Sequence, residues 1–236
     1  MTPTGKRRAA GIAVIGTDTD VGKTVACAAI LQRLASSGFA RLAYWKPIAT
    51  GARQGRDVDA VGRLLEGAPA EIDLLPESCL FEAPLSPHLA ASLEGRAVDT
   101  LAVVRDFAEH LAAVPGRPLV VEGVGGLLVP LSEDGTLQPA LLALLDLPCL
   151  LVARSTLGTI NHTLLTLEAA RGRGLRVAGV LLVGPPDAEN RRAIERWGEV
   201  DVFGEIPPLA PLAAATLGDA ARALDPADRI AGLLRQ

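Results

Sequence analysis

The chain has 236 residues, nearly half of them apolar and only 3% aromatic, so it reads as one folded α/β domain with a core of Leu, Val, Ile and Ala, and not as a disordered segment. Its formal net charge is −4, and its one basic cluster, Lys6-Arg7-Arg8, cannot neutralise the phosphates that a nucleic acid presents, so no nucleic-acid partner is expected. The longest apolar run, from Ala140 to Ala153, is interrupted by Asp146 and Pro148 and falls short of the ~20 residues that span a bilayer, so no membrane association is expected either.

Residues 1–10 read as a mobile N-terminal tail and residues 11–236 as a single domain. Gly11–Ile15 is a short apolar strand, and the polar loop after it is no signal-peptide cleavage site, which points to a cytoplasmic protein. Apolar positions recur at helical spacing over Thr24–Leu34. Leu42–Trp45 reads as a second strand that stops at Lys46-Pro47, because proline lacks a donor and restrains the residue before it. Val58–Leu65 is helix-like, and residues 67–98 form an irregular, proline-containing stretch. Asp99-Thr100 caps a helix running to about Val114, and Pro118–Val121 is the next strand. The run from Ala140 reads as a core helix followed by a strand, Cys149–Ala153. A helix at Ile160–Arg171, a strand at Val177–Val183, a helix at Ala188–Trp197, a short strand at Val200–Phe203 and a terminal helix at Asp219–Leu234 complete the chain. Strands alternating with helices predict right-handed crossovers and a mostly parallel sheet covered on both faces. Ligands then sit beyond the carboxyl ends of the strands. Cys27, Cys79 and Cys149 are odd in number and set among apolar neighbours, which reads as core packing and neither a disulfide framework nor a zinc site.

Of the 23 basic residues, 20 are Arg and three are Lys: Lys6, Lys23 and Lys46. Where Arg fills nearly every cationic position, a Lys within the fold marks a place that needs a compact, flexible ammonium. Lys23 lies in Gly16-Thr17-Asp18-Thr19-Asp20-Val21-Gly22-Lys23-Thr24, between a strand and a helix. This resembles a Walker A loop (P-loop) with one extra residue between its glycines. In such a loop backbone N–H groups converge on phosphate oxygens at a helix N-terminus, the Lys reaches the β/γ-phosphates, and the Thr hydroxyl ligates Mg²⁺. Asp18 and Asp20 would oppose phosphate and are expected to face an amine-bearing substrate instead. Lys46 emerges at the same sheet edge, and two ammonium groups there suit a highly charged transition state in phosphoryl transfer. Glu122-Gly123-Val124-Gly125-Gly126 also follows a strand. Its carboxylate can bind Mg²⁺ and its glycines let backbone approach a ligand. Asp57 and Asp59 are each able to supply a second carboxylate or to cap a helix. His88, after Ser86-Pro87, and His162, after Asn161, lack a third metal ligand at suitable spacing and read as polar contacts.

Taken together, the GTDTDVGKT loop, the KPIATG segment, Ala83–His88 (APLSPH), Val121–Leu131 (VEGVGGLLVPL), Leu157–Thr166 (LGTINHTLLT) and Gly204–Pro207 (GEIP) resemble the dethiobiotin synthetase family over roughly residues 11–210. The resemblance implies a P-loop NTPase-like fold and a Mg²⁺-dependent, ATP-consuming ligase of biotin synthesis. Such enzymes close a ureido ring on 7,8-diaminononanoate with CO₂, through a carbamate and a carbamic-phosphoric anhydride. It implies that Lys46 and Lys23 are catalytic, and that Asp20, Val21, Gly22, Lys23, Thr24, Asp57, Glu122, Gly123, Val124, Gly125, Pro207 and Leu209 contact the nucleotide. Thr24, Asp57 and Glu122 would hold Mg²⁺, Asp57 being preferred to Asp59 because the family's Asp begins a helix. Thr19, Thr50, Leu157, Gly158 and Asn161 would contact substrate, the last three from the partner subunit of a homodimer.

One departure stands out. The family commonly has an Asn that reads adenine after the strand matching Val177–Val183, and here the stretch is Val183-Gly184-Pro185-Pro186-Asp187. An amide both donates and accepts, which is what separates one base edge from another, so relaxed base specificity is expected. The alternative reading is a P-loop ATPase switch of the partitioning type. Those proteins carry a second Lys near the first loop glycine, where this chain has Thr17 and Asp18. A glutamine-dependent synthetase would need a further domain with a nucleophilic Cys. A non-catalytic nucleotide-binding module would bind Mg·ATP without consuming it.

Overall fold

A computed structural model describes residues 11–235; the tail expected at residues 1–10, with Lys6, lies outside the described residues. The first strand, β1 (Gly11–Gly16), is buried along its whole length. The chain then forms α1 (Lys23–Ser36), β2 (Arg41–Trp45), β3 (Ile48–Ala49), α2 (Asp57–Leu64), β4 (Glu71–Leu75), β5 (Cys79–Leu80), α3 (Pro87–Leu93) and α4 (Thr100–Ala113). There follow β6 (Leu119–Glu122), α5 (Gln138–Leu145), β7 (Cys149–Arg154), α6 (Thr159–Arg171), β8 (Val177–Val183), α7 (Ala188–Gly198), β9 (Val202–Ile206), α8 (Ala214–Ala223) and α9 (Arg229–Leu234). Seven strands form one sheet in the order β4-β2-β6-β1-β7-β8-β9, and every pairing in it is parallel.

Side chains of a strand alternate between faces, and the sheet divides its core accordingly. Ile12, Val14, Leu42, Tyr44, Val120, Leu150 and Val152 pack beneath α1, α2, α8 and α9. Ala13, Ile15, Trp45, Leu119, Val121 and Leu151 pack with residues of α3 to α7 on the other face. The two central strands, β1 and β6, send their connections to opposite faces, α1 to one and α5 to the other. That divergence opens a crevice at their carboxyl ends, the usual place for a ligand in an open α/β sheet.

Three expectations need correction. The stretch at residues 67–98 is ordered: β4 is an edge strand of the main sheet beside β2, β5 pairs with β3 in a small second sheet, and α3 follows. The terminal helix is two helices, α8 and α9, because Pro226 has no N–H to continue the ladder. Asp225 at the break is fully buried, and its Oδ2 accepts from Ile230 N at 2.7 Å. The strand expected at Val200–Phe203 instead begins at Val202 and continues to Ile206. Elsewhere the expected elements are present, including the Asp99 cap, whose carboxylate accepts from Leu101 N and Ala102 N.

Candidate active site at the carboxyl edge of the sheet

The loop after β1 is shaped by two glycines. A Cβ on Gly16 would lie 2.8 Å from Asp18 O and 3.0 Å from Lys23 Nζ, so any side chain there would push the loop open. Gly22 has φ +91°, and a Cβ on it would lie 2.9 Å from Val183 Cγ1, which seats the loop against the end of β8. Lys23 and Thr24 thereby open α1, where the helix dipole favours negative charge. Lys23 is 6% exposed, and its Nζ donates to Asp18 O at 2.9 Å. Burial pulls its pKa below the ordinary lysine value, with nearby Lys46 acting in the same sense and Glu122 opposing.

Lys46 comes from the end of β2, Asp57 from the start of α2, and Glu122 from the end of β6. Lys46 Nζ donates to Asp57 Oδ2 at 2.6 Å and to Glu122 Oε1 at 2.9 Å. Thr24 Oγ1 lies 3.0 Å from Asp57 Oδ1 and 2.9 Å from Glu122 Oε1, and its single proton serves one of them at a time. Glu122 is 1% exposed and Lys46 8%, so the charges are withdrawn from bulk water. Burial alone would disfavour the Lys46 ammonium, but Glu122 and Asp57 outweigh it and hold its pKa above the lysine range. Arg56, just before Asp57, is ion-paired with Glu77 and anchors the start of α2. Asp59 points to solvent.

These groups line one cavity of about 770 Å³, a volume suited to small-molecule ligands. It brings together Thr19, Asp20, Gly22, Lys23, Thr24, Lys46, Thr50, Asp57, Glu122, Val124 and Gly125. Of the other expected residues, Val21, Gly123, Pro207 and Leu209 do not line it. Leu157, Gly158 and Asn161 are exposed at the start of α6, also outside it. His88 on α3 and His162 on α6 are likewise absent from its walls. Asp18 departs from expectation: its carboxylate is held by Arg154 at 2.7 Å and by Thr19 N at 2.8 Å, and it turns away from the cavity.

Sequence reasoning passed over Gln138, which holds the glycine loop in place. Its Oε1 accepts from Val124 N at 2.7 Å and its Nε2 donates to Gly126 O at 3.1 Å. It opens α5, so only the crossover from β6 brings it to that loop. Gln54, Ser86 and Leu85 also reach the cavity, drawn in by the small β3–β5 sheet.

The donor set is all oxygen, a Thr hydroxyl and two carboxylates. That suits a hard cation such as Mg²⁺, which takes one or two carboxylates together with phosphate and water. An anion bound at the start of α1 would meet two lysines within the same cavity.

A chain from Paramagnetospirillum magneticum named ATP-dependent dethiobiotin synthetase BioD is 45% identical over 207 residues, 88% of this chain and 92% of that one. This chain belongs to the dethiobiotin synthetase family. Members of the same name from Afipia carboxidovorans and Agrobacterium fabrum are each 43% identical, over 85% and 84% of this chain and 89% and 86% of theirs. A family model described as an AAA domain matches residues 10–216. Among solved structures, the MinC:MinD cell division protein complex of Aquifex aeolicus aligns with a TM-score of 0.58 at 16% identity, over 94% of this chain and 95% of that one. A ParA family ATPase from Chlorobium tepidum aligns with a TM-score of 0.55 at 13% identity, over 89% and 96%. At such identities the likeness is one of fold alone, and the partitioning-type ATPase is a distant structural relation of this family. Among the described residues no helix is long and apolar enough to cross a membrane.

Proposed function

We propose that this chain is an ATP-dependent dethiobiotin synthetase, a carbon–nitrogen ligase of biotin biosynthesis that closes the ureido ring of 7,8-diaminononanoate with CO₂. The observation that carries this reading is the Lys46 ammonium set between Asp57 and Glu122 beside the phosphate loop, in a chain more than 40% identical to relatives so named. One substrate amine takes up CO₂ as a carbamate. A carbamate oxygen attacks the γ-phosphorus of ATP and ADP departs. The second amine then attacks the carbamoyl carbon, the ring closes, and phosphate leaves with the oxygen that bridged carbon to phosphorus.

Each anion needs a cation that stays charged. Lys46 keeps its proton because two carboxylates face it, and it would draw carbamate and γ-phosphate together and stabilise the charge that moves between them. Lys23 would do the same for the β/γ-phosphates. The reaction needs no covalent bond to the enzyme. Thr24, Asp57 and Glu122 are the residues that would hold Mg²⁺, with Val124 and Gly125 close to the phosphates and Thr19 and Thr50 beside the diamine. Bound there, Mg²⁺ supplies neutralisation of the phosphate oxygens.

A homodimer accounts for the residues that stand apart. Leu157 is fully exposed at the N-terminus of α6, next to Gly158 and Asn161, where a partner's cavity would receive them. Pro207 and Leu209, beyond β9, would approach the base. A reducing, cytoplasmic setting is the reading that three buried free thiols support.

The test is phosphate release from Mg·ATP and bicarbonate with and without 7,8-diaminononanoate. Release that depends on the diamine is expected. Turnover of equal rate without it would favour an ATPase switch, and binding without turnover a nucleotide-binding module.

A further inference from the structure

Glu122 is bonded on both of its oxygens, and the two face different surroundings. Oε1 meets Thr24 and Lys46 at the cavity. Oε2 accepts a hydrogen bond of 2.8 Å from the hydroxyl of Tyr44, inside the sheet. The strand register explains the meeting. Tyr44 of β2 lies opposite Val120 of β6, and Glu122 is two residues further along β6 on the same face. Two strand residues advance roughly 6.6 Å, comparable with the reach of a tyrosine side chain. Tyr44 is fully buried, and because a carboxylate oxygen can only accept, its hydroxyl is the donor of this bond to Oε2.

We propose that Tyr44 is a positioning residue that locks the Glu122 carboxylate with Oε2 turned into the sheet and Oε1 turned toward the phosphate loop, the orientation in which it meets a divalent cation on the nucleotide. This rests on the reading of Glu122 as a Mg²⁺ ligand. Without the hydroxyl, Oε2 loses the donor that holds it inside the sheet, and the buried Cys27 thiol beside Glu122 is only a weak substitute. The carboxylate then rotates to share its remaining partners, and the cation loses a preset ligand. A tyrosine that only filled space would be replaced by phenylalanine without consequence for metal binding.

Two measurements test this. Titration of Mn²⁺ into the enzyme·ADP complex, followed by electron paramagnetic resonance, reads metal affinity without turnover. Tyr44→Phe is expected to weaken it about 10-fold, as loss of a group that orients a metal ligand does, and to raise the half-saturating Mg²⁺ for turnover equally while KM for the diamine stays put. Unchanged Mn²⁺ affinity in Tyr44→Phe, with weakened affinity in Glu122→Gln, would overturn the proposal. Unchanged affinity in Glu122→Gln would instead overturn the reading of Glu122 as a ligand. The chain contains a single tyrosine, so 3-fluorotyrosine incorporation reports on this hydroxyl alone in an otherwise unaltered enzyme. Its ¹⁹F resonance is expected to shift when Mg²⁺ is added to the ADP complex, and the shift to vanish in Glu122→Gln. A resonance that ignores Mg²⁺ in both proteins would overturn the proposal.

Discussion

Lys46 Nζ donates to Glu122 Oε1 at 2.9 Å, and these two buried charges join the ends of neighbouring parallel strands. The pair is a structural link and a chemical one. An ammonium held by two carboxylates cannot lose its proton at working pH, yet three rotatable N–H donors leave it able to reach an incoming anion.

That geometry predicts the outcome of Lys46→Arg. The planar guanidinium is larger and cannot take the ammonium's place between Asp57 and Glu122, so the charge is kept and its position is lost. We expect kcat to fall roughly 100-fold or more, in the range seen when one preorganised electrostatic group is removed. ADP affinity, measured by calorimetry, should change little. Near-normal kcat would remove Lys46 from the catalytic role.

The turn after β8 predicts loose reading of the base. Val183 abuts Gly22 of the phosphate loop, so Gly184-Pro185-Pro186 lies beside the loop on which a nucleotide would bind. Gly184 sits against Ser155 Oγ, which donates to Pro185 O at 2.6 Å, and neither proline has an N–H. CTP and GTP are expected to support ring closure at rates near that of ATP. A panel of nucleoside triphosphates that shows strong ATP preference would contradict this.

Gly179 predicts a local stability limit. It lies where the β7–β8 register shifts, and a Cβ on it would fall 2.5 Å from the Phe203 ring. That ring is covered on one face by the Arg229 guanidinium at 4.4 Å, so it has little room to retreat. Gly179→Ala should cost about 1–3 kcal/mol, the usual penalty of overpacking, measured by urea unfolding.

His110 predicts one component of acid sensitivity. Burial lowers its pKa below the ordinary 6.5, Arg117 adding to the effect and Asp106 opposing it. The imidazole packs edge-on against Trp45 with centroids 5.1 Å apart. Between the lowered folded value and 6.5 the unfolded chain binds more protons, so this group's share of stability is complete above 6.5 and is lost as pH falls through the folded value. Urea midpoints of the wild type and His110→Gln should therefore converge as pH falls from neutral toward 5. A pH-independent difference would contradict the assignment.

Much of the fold was legible because β1, β6, β7 and β8 are buried on both faces and read as uninterrupted apolar runs between helical patterns. The edge strand β4 was not. Glu71 and Asp73 are accommodated in it because Arg41 of β2 and Arg117, in the loop before β6, pair with them, and no local pattern announces such partners. The break between α8 and α9 was missed because Leu217, Ala221, Leu224, Ile230 and Leu234 all face the core, and their spacing hid the Asp225-Pro226 stop. In the site, Lys23, Thr24, Lys46 and Glu122 could be picked out because each follows a strand or begins a helix, whereas Asp57 was separable from Asp59 only through the family resemblance. Asp18 was misjudged from its charge alone, since its partner Arg154 lies 136 residues on. Tyr44 and Gln138 were missed for a related reason. Each acts on the site only through a register or a crossover that brings distant strands together.

Direct attack on ATP by the CO₂ that the substrate amine has captured would leave an isotopic mark on the phosphate. In a single turnover with freshly dissolved ¹⁸O-labelled CO₂ and unlabelled water, the phosphate released in the presence of 7,8-diaminononanoate is expected to carry one ¹⁸O, passed from the carbamate. Phosphate free of ¹⁸O, its fourth oxygen taken from solvent water whether or not the diamine is present, would contradict it.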